Sequence, residues 1–174
     1  HGRSNALENV LKAADLLKNE PIKFIFIGDG PNKKLLKNQS IHMKNIEFRN
    51  PVPKESMPKI IESSHAMLIT LKNNPLFKYG VSPNKLYDAY AVGRPVIVSI
   101  GGNINEEIIN NKIGFACEPE NPLLLAEIIK KLSLCTKSER QLMGDKARLL
   151  AESTYSRQKI NPKINNLLKR IIRK

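Results

Sequence analysis

Five short runs built on apolar residues are set among segments of helical spacing: residues 22–30 (IKFIFIGDG), 45–50 (NIEFRN), 66–71 (AMLITL), 95–99 (PVIVS) and 113–117 (IGFAC). Continuous apolar strands separated by helices imply βαβ units, because parallel strands bury both faces beneath their crossovers. Ahead of the first run, Leu7, Val10, Leu11, Ala14 and Leu17 recur at helical spacing, with Ser4 or Asn5 as the candidate N-cap and Pro21 closing the segment. Further helices are expected over residues 57–64, from Pro83 to Val92, and around residues 106–110. From Asn121 onward the pattern is purely helical: residues 121–132, then Ser138 to Glu152, then a basic tail ending at Lys174. The chain therefore reads as α/β, a parallel sheet with helices on both faces and right-handed crossovers, followed by a helical C-terminal tail.

At 174 residues and 41% hydrophobic content, the chain suffices for one domain with a real core, or for half of a two-domain enzyme. It starts without Met and almost directly in a helical pattern, as a piece of a longer protein would. Lys and Arg number 29 against 16 Asp and Glu, a formal charge of +13. Such a surface favours anionic partners, namely nucleotide, phosphate, nucleic acid or an anionic membrane face; a solvated basic surface without a specific partner explains it equally. Only Cys117 and Cys135 are present, and no metal-ligand spacing links them to the three histidines, so neither a disulfide framework nor a metal site is expected. The setting expected is a reducing cytoplasm. No apolar run approaches the roughly 18 residues that span a bilayer.

In a parallel sheet of this kind ligands bind beyond the carboxyl ends of the strands, which directs attention to four loops. Gly28, in GDGP after the first run, permits close backbone approach, and equally makes a tight turn. In NPVPKES, prolines flank Val52, and an extended Val52–Pro53 backbone can face a planar base. Gly101 and Gly102 open the fourth loop, where Glu106 or Glu107 offers a carboxylate to a ligand or simply a favourable charge at a helix start. The third loop leads into SPNKLYDAYAVG, residues 82–93. Ser82 suits an N-cap, Pro83 the first helical position, and Gly93 the left-handed residue that ends a helix. The amino end of that helix, at the carboxyl edge of the sheet, suits a phosphate. Lys85 in its first turn opposes the helix dipole, and Asp88 lies one turn on along the same face. The pair serves either an anionic ligand and its hydroxyls or an exposed ion pair.

The segments FIFIGDGPNKKLL, NIEFRNPVPKESMPKIIESSHAMLIT and PLFKYGVSPNKLYDAYAVGRPVIVS, followed by GG…NEEIINNKIGFACEPENP, resemble in order and spacing the C-terminal half of glycosyltransferase family 4, above all its bacterial surface-polysaccharide members. The likeness covers nearly the whole chain. It implies a Rossmann-like half of a GT-B fold, with residues 1–174 as one nucleotide-sugar-binding domain and an acceptor domain supplied by an N-terminal half outside this sequence. It also implies a retaining reaction without a metal or other cofactor, and, from the subgroup, a UDP-sugar as the expected donor. The family signature is two glutamates separated by seven residues. Asp88 stands at the second and would hold the ribose; Gly80 stands at the first, so that carboxylate is missing. Backbone N–H groups of Gly80, Val81 and Ser82, with Lys85, are then expected at the sugar and diphosphate, and Gly28, Val52 and Pro53 at the base. Where the family often carries an Arg and a Lys before the first helix, this chain has Asn5, with Arg3 as the nearest substitute. No catalytic acid or base is assigned.

The last helix in such folds commonly crosses back to the other domain, which would bring Lys163, Lys169, Arg170, Arg173 and Lys174 near an anionic membrane carrying a lipid-linked acceptor. A solvated helix face is the plainer alternative. Two rival functions remain. A nucleotide-sugar epimerase of the same fold would add histidines and carboxylates around the donor, whereas His42 and His65 fall on ordinary segments. A nucleic-acid-binding module has the charge but not the aromatic surface, since aromatics are 5% of residues and Trp is absent.

Overall fold

The computed structural model describes residues 1–172, apart from the side chains of Lys78 and Tyr79, so Arg173 and Lys174 lie outside the described residues. Helix α1 (Leu7–Leu16) leads to strand β1 (Phe24–Ile27), α2 (Lys33–Gln39) to β2 (Ile46–Arg49), and α3 (Met57–Glu62) to β3 (Met67–Thr70). Helix α4 (Asn84–Val92) leads to β4 (Val96–Ser99) and α5 (Asn103–Asn111) to β5 (Gly114–Cys117). Then come α6 (Pro122–Leu134), α7 (Lys137–Leu150), a π-helical turn over Ala151–Tyr155, and α8 (Arg157–Ile172). Each apolar run forms a strand, and every ladder is parallel: β1 pairs β2, and β3, β4 and β5 pair in that order. Helix α2 escapes a reading by apolar spacing because it is short and fully buries only Leu36.

The pleat of β4 sorts the helices into two layers. Ile97 joins a core with Val10, Leu11, Leu36 and Leu125, from α1, α2 and α6. Val96 and Val98 join a second with Leu86, Tyr90, Ile108 and Ala147, from α4, α5 and α7. Both faces are covered, as continuous apolar strands require.

The start of α1 differs from its expected form. Ala6, in the left-handed region at φ 46°, occupies the cap position, and neither Ser4 nor Asn5 caps the helix with its side chain. Both lie in a 3₁₀ turn over Arg3–Asn5, whose backbone is drawn to β3: the Ser4 carbonyl accepts from Lys72 N–H at 2.9 Å, and the Asn5 carbonyl from the Thr70 hydroxyl. The later helices follow their sequence signals more closely. Asn121 caps α6 through Leu124 N–H, and Thr136 with Glu139 forms a capping box on α7.

The far end of α4 is fixed backbone to backbone. Gly93 ends the helix at φ 70°, as expected, with its N–H bonded to the Tyr90 carbonyl at 2.9 Å. Gly144 of α7 lies so close that a Cβ there would sit 2.1 Å from the Gly93 carbonyl oxygen. Arg148, one turn further along α7, donates to the Ala91 carbonyl. Gly144→Ala is therefore expected to push α7 off the end of α4 and cost about 1–3 kcal/mol, the usual range for overpacking. A lower urea midpoint with an unchanged slope checks this.

Candidate functional site

The carboxyl ends of the strands carry the loops singled out by the sequence, and α4 begins among them. Its first turn is built differently from expectation. Pro83 is extended (φ −72°, ψ 116°) and holds the cap position, so the helix starts at Asn84 rather than at the proline. The Ser82 hydroxyl does not cap the helix; it faces Tyr87 and donates to the phenol oxygen at 3.1 Å. The Pro83 carbonyl accepts from Leu86 N–H at 2.9 Å, leaving the N–H groups of Asn84 and Lys85 without an acceptor among the described residues. A helix start with open N–H groups and no capping side chain is suited to an anion.

Lys85 and Asp88 are both exposed and form no ion pair with each other or with any other described residue. They share the wall of a cavity of about 290 Å³ with Asn5, Ile27, Arg49 and Met57, between β1, α3 and α4. Arg49 was not foreseen, although it is the last residue of a strand whose carboxyl end faces the site. Its guanidinium is engaged by the Glu47 carboxylate at 2.6 Å, and Lys23 closes on the same group. Those bonds, Arg49 first, hold the Glu47 carboxyl down at about 2. Lys85 is the less encumbered cation of the two.

Lys33 ties the neighbouring loops together, donating to the Gly28 carbonyl at 2.7 Å and to the Arg49 carbonyl at 3.3 Å. Gly28 (φ 120°) and Gly80 (φ 126°) need glycine for their backbone conformation, and beyond their chain neighbours no described atom lies within 4 Å of where a Cβ would stand. The chain is thus open to close approach at both. Gly80 and Val81 line a smaller cavity of about 170 Å³ with Tyr87, Gly101 and Glu107. Pro53 has φ −53° and ψ 143°, and it and Val52 lie outside these cavities, as do Gly28, Ser82 and the exposed Arg3. Asn5 is half-buried in the same wall as Lys85.

Glu107 serves structure. Its carboxylate accepts from the Tyr90 hydroxyl at 2.9 Å and from the Tyr155 hydroxyl, joining α4, α5 and the π-helical turn. Tyr90 is fully buried, and both phenols are pushed well above the ordinary tyrosine range, by burial first and then by the Glu107 charge and hydrogen bond. Glu106 remains exposed in the first turn of α5. Among the described residues no three His, Cys, Asp or Glu side chains gather as a metal site, and no helix is long and apolar enough to cross a membrane.

A family model described as "Glycosyl transferases group 1" matches residues 3–150. Among curated proteins the chain is 30% identical over 159 residues to the Pseudomonas aeruginosa protein WbjE, named as a glycosyltransferase, matching 89% of this chain and 38% of that protein. It is 27% identical to Escherichia coli WcaI, named for colanic acid biosynthesis, over 92% of this chain and 40% of that one. The chain thus spans about two fifths of the length of these relatives. Among solved structures, Anabaena HepE in complex with UDP superposes with a TM-score of 0.79 at 18% identity, covering 95% of this chain and 45% of HepE. Staphylococcus aureus TarM, also solved with UDP, gives 0.77 at 22% identity over 94% and 33%. These structural likenesses establish the fold.

The Glu107 bridge sets two expectations. Glu107→Ala leaves two phenols without their acceptor and should lower stability by about 1–3 kcal/mol in urea unfolding. For the pH dependence, the folded chain holds these phenolic protons more tightly than the unfolded chain. The associated stability is fully present below about pH 10, the ordinary tyrosine value, and falls as pH rises beyond it. Tyr155→Phe should flatten part of that alkaline fall, measured as urea midpoints between about pH 8 and 11.

Proposed function

The chain belongs to the glycosyl transferases group 1 family, and from that membership we propose that it is the donor-binding part of a glycosyltransferase of surface-polysaccharide synthesis, holding a nucleotide sugar at the start of α4. The observation that carries this reading is the placement of Lys85 and Asp88, one turn apart, exposed and unpaired, on one cavity wall beside two open N–H groups. In it, the diphosphate meets those N–H groups and the Lys85 ammonium, while Asp88 accepts hydrogen bonds from the ribose. UDP is the expected nucleotide, supported by the UDP held in HepE and TarM. The open backbone at Gly28 and the Val52–Pro53 loop is assigned to the base, and that at Gly80, Val81 and Ser82 to the sugar and the distal phosphate.

Transfer requires stabilisation of a diphosphate leaving group as its charge develops. A helix start and a fixed ammonium supply that stabilisation without a metal. The reading accordingly has a retaining transfer that needs no divalent cation, an acceptor held by polypeptide outside residues 1–174, and no nucleic-acid partner. It also places the work on the cytoplasmic face of a membrane. Helix α8 supports a peripheral contact there, because Ile164, Leu167, Leu168 and Ile171 form an exposed apolar row among Lys163, Lys169 and Arg170.

Calorimetry with UDP-sugars, and with GDP-, ADP- and TDP-sugars as controls, tests the site. Lys85→Ala and Asp88→Asn are each expected to weaken binding by about 1–3 kcal/mol, the range for losing a charge-assisted hydrogen bond. Asp88→Asn should affect UDP more than pyrophosphate, and Lys85→Ala should affect both. Unchanged affinity in both folded variants would remove the assignment. Binding should survive EDTA, and residues 1–174 alone should transfer no sugar. Flotation with anionic and neutral vesicles should retain the protein only on the anionic ones, and removal of α8 should abolish that retention.

A further inference from the structure

The smaller cavity, of about 170 Å³, is walled by three elements: Val81 and Tyr87 from the approach to α4 and its first turn, Asn103 and Glu107 from the start of α5, and Tyr155 from the π-helical turn. Glu107 is the only charged side chain among its described lining residues. Two phenols hold that carboxylate in place, Tyr90 on one oxygen and Tyr155 on the other. A carboxylate offers about four acceptor positions, so about two stay open. The surrounding wall is fixed as well. Asn105 accepts from the Gly101 N–H and donates to the Cys117 carbonyl, at 3.0 Å each, which ties the start of α5 to the end of β5. Tyr87 packs on Tyr155 with ring centroids 4.7 Å apart.

This lining selects a class of ligand. The N–H groups of Asn103 and Ile104 have no acceptor among the described residues, and α5, like α4, starts without a capping side chain. Helix starts carry partial positive charge, which disfavours a cation between them. The Glu107 carboxylate in turn disfavours a bare anion. A neutral group that both donates and accepts hydrogen bonds satisfies both ends. Phe77, Tyr87 and Tyr155 add flat apolar surface on which C–H groups pack. Hydroxyls around a saturated ring meet all of these demands, and that is the chemistry of a pyranose. The space is well below the roughly 300–1,000 Å³ of a site for a drug-sized ligand, so it suits a single ring.

Resting on the donor reading above, we infer that this cavity seats the sugar ring of the nucleotide sugar and that Glu107 selects the sugar, its carboxylate accepting hydrogen bonds from ring hydroxyls while Tyr87 and Tyr155 cover an apolar face. The bonds from Tyr90 and Tyr155 then serve binding as well as stability, because a carboxylate already held in place loses little freedom when the ring arrives. Val81 stands three residues ahead of Asn84, whose open N–H is assigned to the diphosphate, so ring and phosphates occupy adjoining parts of one site.

Calorimetry on the natural full-length protein tests this by comparing each UDP-, GDP-, ADP- and TDP-sugar with its own nucleoside diphosphate. For the sugar that binds tightest, Glu107→Gln should weaken the nucleotide sugar about tenfold or more, while the diphosphate stays within about threefold. Glu107→Asp keeps the charge but draws it back from the ring, and carries the same expectation where the glutamine variant does not fold. Monodeoxyfluoro analogues of that sugar locate the contact. One of them should lose about tenfold against the natural protein and almost nothing further against either variant, since the two changes remove the same bond. Equal losses on natural and variant protein, as a purely structural bridge predicts, would overturn the inference. So would an unchanged ratio of sugar to diphosphate affinity, and either result leaves the diphosphate site standing. Absence of binding by every nucleoside diphosphate would instead remove the donor reading, and this inference with it.

Discussion

The molecule is organised by the pleat of β4. With Ile97 turned into one core and Val96 and Val98 into the other, neither helical layer can slide without opening the strand beneath it. All four residues of β4 are buried, and it pairs with β3 on one edge and β5 on the other. Helix α4 is held between the crossover from β3 and the backbone contact of Gly93 with Gly144. Its amino end is consequently fixed at the carboxyl edge of the sheet. Lys85 and Asp88 owe their common wall to this packing, since neither is held by an ion pair among the described residues.

Apolar runs set between helical segments made the strands legible, most clearly β4, all four of whose residues are buried. Gly93 was legible for a related reason: a left-handed residue at a helix end selects glycine. The helix starts were less so. Ser82 and Pro83 have the right chemistry for N-cap and first turn, yet the Ser82 hydroxyl finds Tyr87, a residue whose position depends on tertiary packing. Asn5 and Ser4 likewise direct their carbonyls to Thr70 at the end of β3 and to Lys72 just beyond it, 65 residues away for the Asn5–Thr70 bond. Propensity describes a residue's options, and long-range partners decide among them.

The candidate site follows the same division. Lys85 and Asp88 share a wall because helical spacing is a local property, readable from sequence. Arg49 and Lys33 enter the neighbourhood through the order of the strands, which no local pattern encodes. By its sequence position Glu107 offers a helix-start charge or a ligand carboxylate. Its bonds to Tyr90 and Tyr155, 17 and 48 residues away, give it an occupation that no local pattern encodes.

Charge alone does not identify the site, since +13 is spread over a surface on which most cations are solvated. What sets Lys85 apart is its geometry. An exposed ion pair with Asp88 would be worth about 0–1 kcal/mol, whereas a charge-assisted bond to a diphosphate at a helix start is worth about 1.5–3 kcal/mol. A lysine left unpaired beside open N–H groups favours the second use.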